Sequence, residues 1–256
     1  MLKIQLVGLL TMLRKEWGRI FRIWAQTLLP SLITITLYFL IFGNFIGTQI
    51  KQMQGFRYID FIVPGLIMMA IITNSYTNVV TTVFSAKFQK NIEELLVSPL
   101  YPSTILLGYL SGGVLRGLLV GILITLISLF FSPLSMEKPF FILVTMILTT
   151  LVFSLLGFIN GLFAKKFDDV SIVPTFILTP LTYLGGVFYS LSFLPPFWQK
   201  ISLFNPILYL VNAFRFGFLG HSDVPVELAL FILFFFVIIL WFLCLGLVKK
   251  GFGLRL

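Results

Sequence analysis

Acidic pairs on two short polar connections are the residues of this chain best placed to act on something else. They are Glu93 and Glu94 in KFQKNIEELLVSPLYPS, residues 87 to 103, and Asp168 and Asp169 in AKKFDDVS. Carboxylates there can cap a helix or pair with basic groups of another molecule. A third charged group, Arg116 in GYLSGGVLRGLLVG, lies inside an apolar run. Placing it in hydrocarbon costs about 2.5–3.5 kcal/mol on insertion scales, so it must face protein or water, or snorkel to the surface. A structural role and a role in gating or in holding an anionic head group both stay open for it. Covalent and metal chemistry find little footing. His221, in HSDVP, is the single histidine and reads as solvated. Cys244 is the single cysteine, so one chain can build neither a disulfide nor a thiol metal site. The phosphate-cradling pattern G-x-x-x-x-G-K-[ST] is absent. No catalytic residue and no metal ligand set is expected.

The elements that must carry these groups are membrane helices. Of 256 residues, 59% are hydrophobic and 11% charged, and the mean hydropathy is +1.06, far from a water-soluble domain. An apolar run crosses a hydrocarbon core with about 20 residues and must close its backbone bonds internally, hence as a helix. Six such runs are expected, at Ala25 to Phe45, Tyr58 to Val83, Thr104 to Phe131, Phe140 to Phe163, Ser171 to Phe188 and Val226 to Val248. Basic residues set the orientation. Lys3, Arg14, Lys15, Arg19, Arg22, Lys87, Lys90, Lys165, Lys166, Lys249, Lys250 and Arg255 share one side; Lys51, Arg57, Lys138, Lys200 and Arg215 fall on the other. Both termini are therefore expected in the cytoplasm. The net charge of +9 reflects this bias and an attraction to anionic membrane lipid, and no nucleic-acid partner is expected.

Residues 1–24 place Leu6, Leu9, Leu10, Leu13, Trp17, Ile20, Phe21 and Trp24 at helical spacing, with Lys15, Arg19 and Arg22 on another face. This predicts an amphipathic helix in the inner headgroup layer. Its basic cluster follows the apolar residues and no small-residue cleavage site is visible, so a signal peptide is not expected. In residues 87–103, Phe88, Ile92, Leu95 and Leu96 are expected on one helical face. Asn91 with Glu94 predicts a reciprocal N-cap at a new helix start, and Pro99 and Pro102 end the segment. Glu93 and Glu94 would be repelled by an anionic leaflet, which favours a protein partner over lipid. In AKKFDDVS, Asp169 or Ser171 is expected to cap the fifth run.

Residues 189–225 are too apolar for a plain loop and too broken for a span. Pro195 and Pro196 interrupt them, and Asn205 with Pro206 reads as an N-cap followed by a first-turn proline. A helix from Pro206 to Leu219 would be about 21 Å long, too short to cross. A hairpin entering the outer leaflet and returning is expected, with Tyr189, Trp198 and Tyr209 at headgroup level; a helix lying on the surface stays the alternative.

NPILYLVNAFR, residues 205 to 215, resembles the end of the signature of type II ABC transport permeases, with Pro206, Tyr209 and Arg215 at the positions that recur there. FIVPGLIMM at 61 to 69, NIEELLVSP at 91 to 99 and PTFILTPLTYLGGVFYSLSFLPP at 174 to 196 are similar to the same family, including small bacterial inner-membrane permeases and nodulation and antibiotic export permeases. The resemblance spans essentially the whole chain. It implies an all-α, polytopic membrane protein forming one permease domain: an interfacial helix (1–24), spans one to five (25–188), an outer re-entrant hairpin (189–225), then span six and a cytoplasmic tail (226–256). It implies an exporter subunit in the bacterial inner membrane that pairs with a second permease subunit, as a homodimer, and binds two copies of a cytoplasmic ABC ATPase. ATP and Mg would belong to that ATPase, leaving no cofactor in this chain. The cargo would be hydrophobic or amphipathic.

On this resemblance, residues 87–103 form the coupling helix seated in the ATPase, with Phe88, Ile92, Glu93, Glu94, Leu95 and Leu96 as contacts and Asp168 and Asp169 beside them. The transport path would run between the first, second and fifth spans, making Thr34, Tyr38, Asn74, Asn78 and Tyr183 candidate linings; hydrogen bonding between helices is the equal alternative for the polar groups. Thr36, Thr73 and Ser75 also polarise those spans. Arg116, Pro174, Pro180, Pro206, Tyr209 and Arg215 are structural or gating candidates. A self-sufficient channel or secondary transporter would need carboxylates at the midplane, and Asp60 lies too near the outer end of the second run. A lipid-modifying enzyme would need a nucleophile and base that are not visible.

Overall fold

The computed structural model describes residues 1–253 apart from positions 48, 51 and 134 and the side chains of Asn44 and Leu96. Lys51, Arg255 and the Leu96 side chain, all named above, fall outside the described residues. The chain runs as α1 (Leu2–Arg22), α2 (Trp24–Leu40, continued by a π-helical turn Ile41–Ile46), a short hairpin of β1 (Gln52–Met53) and β2 (Phe56–Arg57), and α3 (Tyr58–Phe88). Then follow α4 (Asn91–Val97), α5 (Pro102–Ser128), α6 (Pro139–Phe163), α7 (Phe167–Val173), a π-helical turn (Pro174–Leu178), α8 (Thr179–Tyr183), a 3-10 turn (Leu191–Phe193), α9 (Pro196–Leu203), α10 (Pro206–Leu219) and α11 (Val226–Lys250). The architecture is an all-α polytopic membrane bundle.

The buried centre is α3, packed by α5, α6 and α10. At about 46 Å it outruns the hydrocarbon core, so its last turns carry the chain clear of the bilayer. Two rows of glycines, four residues apart, let its neighbours come close. On α5, a Cβ at Gly113, Gly117 or Gly121 would collide with Val79, Ser75 or Ile71 of α3. On α6, a Cβ at Gly157 would lie 2.6 Å from the Tyr76 carbonyl oxygen, and one at Gly161 would lie 2.8 Å from Val83 Cβ. The first contact is with backbone and cannot be relieved by a rotamer change. Gly157→Leu should therefore separate α6 from α3 and destabilise the bundle by about 2–3 kcal/mol. A lowered midpoint of thermal aggregation in detergent, with Gly246→Leu as the open-space control, measures this.

Among the described residues, five helices are long and apolar enough to cross: Trp24–Gly43, Tyr58–Phe88, Pro102–Ser128, Pro139–Phe163 and Val226–Lys250. The expected fifth span, Ser171 to Phe188, is displaced and broken. Its helix begins at Phe167, passes through the π-helical turn and ends at Tyr183, about 25 Å in all. Pro174 and Pro180 lack the N–H that a regular ladder needs. Beyond it Gly186, at φ 74°, reverses the chain. The helix Pro206–Leu219 has the predicted bounds, and it is joined to α9 at an angle of 89°. Asn205 accepts from the Ile207 N–H at 3.0 Å, and the Tyr209 hydroxyl donates to the Leu203 carbonyl at 2.8 Å. The β-hairpin was not expected; Gln54 and Gly55 turn it with positive φ, the combination that a type I′ turn favours.

Candidate functional site

The end of the bundle where α3 and α6 finish collects both acidic pairs. Lys87, one of the basic residues expected on the cytoplasmic side, is 3% exposed and donates to the carbonyls of Leu162 at 2.6 Å and Ala164 at 2.5 Å. It thereby satisfies carbonyls that α6 leaves open at its C-terminus, where a cation is also favoured by the helix dipole. Phe88 belongs to α3, and its ring meets Phe167 at 5.1 Å between centroids while Phe84 meets Phe167 at 4.9 Å. These contacts bring the start of α7, with Asp168 and Asp169, beside the start of α4. Asp169 accepts from the N–H groups of Lys165 at 2.8 Å and Lys166 at 3.0 Å, which hold its carboxyl below the ordinary carboxylate range.

Helix α4 starts at Asn91 as expected, but by a different device. Lys90 turns the chain at φ 62°, and Asn91 donates to the Gln89 side chain at 3.0 Å in place of the predicted reciprocal cap with Glu94. Of the predicted apolar face, Ile92 is 1% exposed and Leu95 packs on the same core, while Phe88 belongs to α3 and is 52% exposed; Glu93, Glu94 and Val97 are exposed. A two-turn helix needs such an anchor, since it is too short to stand alone.

Helix α1 is docked on α5 as well as amphipathic. Gln5 donates to the Pro99 carbonyl at 2.7 Å and accepts from the Tyr101 N–H and the Thr104 hydroxyl, both at 2.8 Å. Met12, Glu16 and Ile20 form its buried stripe, and Leu6, Leu10, Trp17, Phe21 and Trp24 are exposed. Sequence reasoning missed Glu16. It is 1% exposed and pairs with Arg19 at 3.0 Å. The Arg19 guanidinium also donates to Asn78 at 3.0 Å and Thr82 at 2.5 Å. A carboxylate four residues behind the buried Met12 and four ahead of buried Ile20 was the available signal. Asn78 is accordingly bound between helices and fully buried.

Asn74 lies one turn nearer the start of α3. It bonds Ser31 of α2 (2.9 Å) and accepts from Arg116 Nε at 3.1 Å; Arg116 Nη2 donates to the Thr27 carbonyl at 2.8 Å. Arg116 thus faces protein and ties α5 to α2 and α3. Thr34, Tyr38 and Asn74 line one groove of about 240 Å³ between α2 and α3, with Pro30, Ser31 and Thr73. Tyr38 and Tyr183 both stand against Phe188, at 6.2 and 5.8 Å between ring centroids. Four of the five candidate linings therefore meet along α2, α3 and the end of α8.

The opposite end of the bundle, where α3 begins, is closed by polar ties that join distant loops. Gln54 of the β-hairpin turn donates to Ser190 and Asp223, both at 2.6 Å; Asp223 also accepts from Ser190 at 2.9 Å and from the Leu191 N–H at 3.1 Å. Beneath them Arg215 is 1% exposed. It donates to the carbonyls of Gly186 at 2.7 Å and Phe61 at 3.3 Å, and its guanidinium sits 3.7 Å from the Phe61 ring centre. Asp60 is paired with Arg57 at 2.8 Å at the head of α3 and accepts from Ser132. Burial pushes the Tyr189 hydroxyl above its ordinary pKa.

The family model described as ABC-2 type transporter matches residues 8–219. The chain is 55% identical over 255 residues, 100% of each chain, to the inner membrane transport permease YadH of Escherichia coli (strain K12). It is 25% identical over 241 residues, 91% of each chain, to Nodulation protein J of Sinorhizobium fredii, and 23% identical over 239 residues to Nodulation protein J of Rhizobium leguminosarum bv. trifolii, with 91% of each covered. A helical bundle with an anchored helix beyond the end where α3 and α6 finish and a polar groove along its second helix fits a transport subunit, and the match makes the chain a member of the ABC-2 type transporter family, the membrane subunit of an ABC transporter that works with an ABC ATPase.

Proposed function

We propose that this subunit is an export permease of the bacterial inner membrane, working as a homodimer with two copies of the ATPase and moving a hydrophobic or amphipathic cargo outward from the cytoplasm or inner leaflet. The observation that carries the proposal is α4: a helix anchored by Ile92 and Leu95 that presents Glu93, Glu94 and Val97 beyond the inner end of α3. That is the arrangement of a lever, fixed to the membrane bundle on one side and open to a partner on the other. ATP and Mg are bound by the partner, and Asp168 and Asp169 stand beside the same contact. The α2–α3 groove with Thr34, Tyr38 and Asn74 forms one wall of the path, the facing wall coming from the second permease subunit. The π-helical turn that begins at Pro174, followed by Pro180 in α8, is the flexible part of that path, since its ladder is already out of α register. The relatives support this reading: one is named an inner membrane transport permease, the others nodulation proteins.

The proposed orientation puts both termini and residues 84–103 in the cytoplasm, and Gly47 to Arg57 and Tyr189 to Val224 outside. Native Cys244 is buried and silent to an impermeant maleimide. Gln52→Cys and Lys200→Cys should then label in sealed cells, while Lys90→Cys should label only after permeabilisation. Equal labelling of Lys90→Cys in sealed cells would overturn the orientation.

A further inference from the structure

A cavity of about 390 Å³ lies between α3, α6, the 167–183 segment, α10 and α11. It shares no lining residue with the α2–α3 groove. Its walls are apolar, with Val152, Leu156, Leu210 and Leu233 among them, and its rim includes Phe163, Ile177 and Phe236, which are exposed on the outside of the bundle. At that depth the surrounding solvent is lipid. Two polar groups line these walls, Tyr76, 1% exposed, and Asn160, whose side chains approach each other; among the described residues neither the Tyr76 hydroxyl nor Asn160 Nδ2 is held in a hydrogen bond of normal geometry. Buried donors of this kind are costly unless something accepts from them.

We propose that this cavity holds one acyl chain of a phospholipid from the cytoplasmic leaflet, with the ester carbonyl accepting from Tyr76 Oη and Asn160 Nδ2. The volume is within the range of small-molecule sites. Apolar walls reject a charged or water-soluble ligand, which would enter unpaired. Two donors select a molecule that brings an acceptor on an otherwise apolar body. Depth selects the ester: Asn160 lies three residues before Phe163, the last residue of α6, about 4.5 Å inside the helix end. Lys165 and Lys166 follow, at the level of an anionic head group. The chain would pack on Ile177 and Leu178, members of the π-helical turn, so lipid occupancy and the state of that turn are linked. The leaflet assignment rests on the orientation proposed above; the pocket and its donors do not.

The test uses the full chain with its ATPase partner in detergent, stripped of lipid and titrated with a phosphatidylglycerol that carries a photoreactive diazirine in one acyl chain. Saturable labelling should concentrate on peptides covering residues 152–160 and 173–181, about tenfold above the lipid-facing surface of α11 at Phe231 to Phe242. Combining Tyr76→Phe with Asn160→Leu should weaken half-saturation about tenfold. Leu233→Trp, which fills the cavity, should abolish the saturable component; Ile177→Trp, at the exposed rim, does the same should the first variant fail to fold. Uniform labelling over all lipid-facing peptides would overturn the site. So would a saturable component unchanged in both the double variant and Ile177→Trp. Extraction of the transported cargo instead of phospholipid from the native complex would overturn the assignment of the ligand. Intact pocket labelling together with outside reactivity of Lys90→Cys would overturn the leaflet and the orientation while leaving the site in place.

Discussion

Arg215→Ala should leave little folded permease in the membrane. Arg215 is a guanidinium enclosed by α10, α3 and the turn at Gly186, with its charge spent on two carbonyls and one aromatic face. Among the described residues no carboxylate lies within ion-pair distance of it, so its removal breaks no direct ion pair. What it orphans is the Gly186 carbonyl, in a turn that only glycine adopts easily at φ 74°, together with a cavity the size of the side chain. An unsatisfied buried carbonyl costs about 1–3 kcal/mol and a large-to-small truncation about 2–5 kcal/mol. Even the lower sum is a large share of a typical stability of about 5–15 kcal/mol. Arg215→Lys keeps the charge, but a single ammonium cannot hold the fork geometry that reaches both carbonyls, so it should fall between the alanine variant and wild type. The measurement is the monodisperse fraction on size exclusion, with membrane insertion scored separately. A wild-type fraction for Arg215→Ala would show that the hairpin is held by its own turn and not by this arginine.

Much of this was legible in the chain, and the divide follows the range of the interactions. Local signals were read well. Asn205 with Pro206 fixed the start of α10, Gly220 ends it with positive φ, and the helix after Lys90 begins at Asn91. Signals that depend on a neighbour were not. Ile92 and Leu95 looked like one exposed apolar face with Phe88 because spacing alone cannot tell a face turned to a partner from one turned to the bundle. The burial of Lys87 was not visible because its two carbonyl partners are some 75 residues away. The Glu16 network was hidden for the same reason: Asn78 and Thr82 belong to another helix. The fifth span was drawn too far because apolar residues continue past Tyr183, whereas the chain obeys Gly186. Arg116 was limited to protein, water or snorkelling by cost alone, and only the structure shows that Asn74 and the Thr27 carbonyl receive it.

Reversing Glu93 and Glu94 to lysine, or placing a charge at Val97, should strip the ATPase from the permease without unfolding it. These three side chains point away from the bundle, and Val97 is 87% exposed, far more than a large apolar residue gains from facing water. Seated in a partner cleft, Val97 would be desolvated, and Val97→Asp would put an unpaired carboxylate there at a cost of several kcal/mol. At about 3 kcal/mol this is a loss of more than a hundredfold in affinity. Leu95→Asp is a poorer probe because Leu95 packs on the core, so any loss would mix folding with coupling. Glu93→Lys with Glu94→Lys separates the partner from the lipid. Against a basic ATPase surface the double change replaces attraction with repulsion; on an anionic leaflet it adds attraction, about 1 kcal/mol per lysine, and leaves ATPase recovery unchanged. The readout is the ratio of ATPase to permease in the purified complex, with transport measured beside it and thermal stability as the folding control. A normal ratio in the double variant would place the acidic pair outside the contact. A normal ratio and normal transport in Val97→Asp as well would mean that α4 does not couple ATP hydrolysis to the membrane bundle.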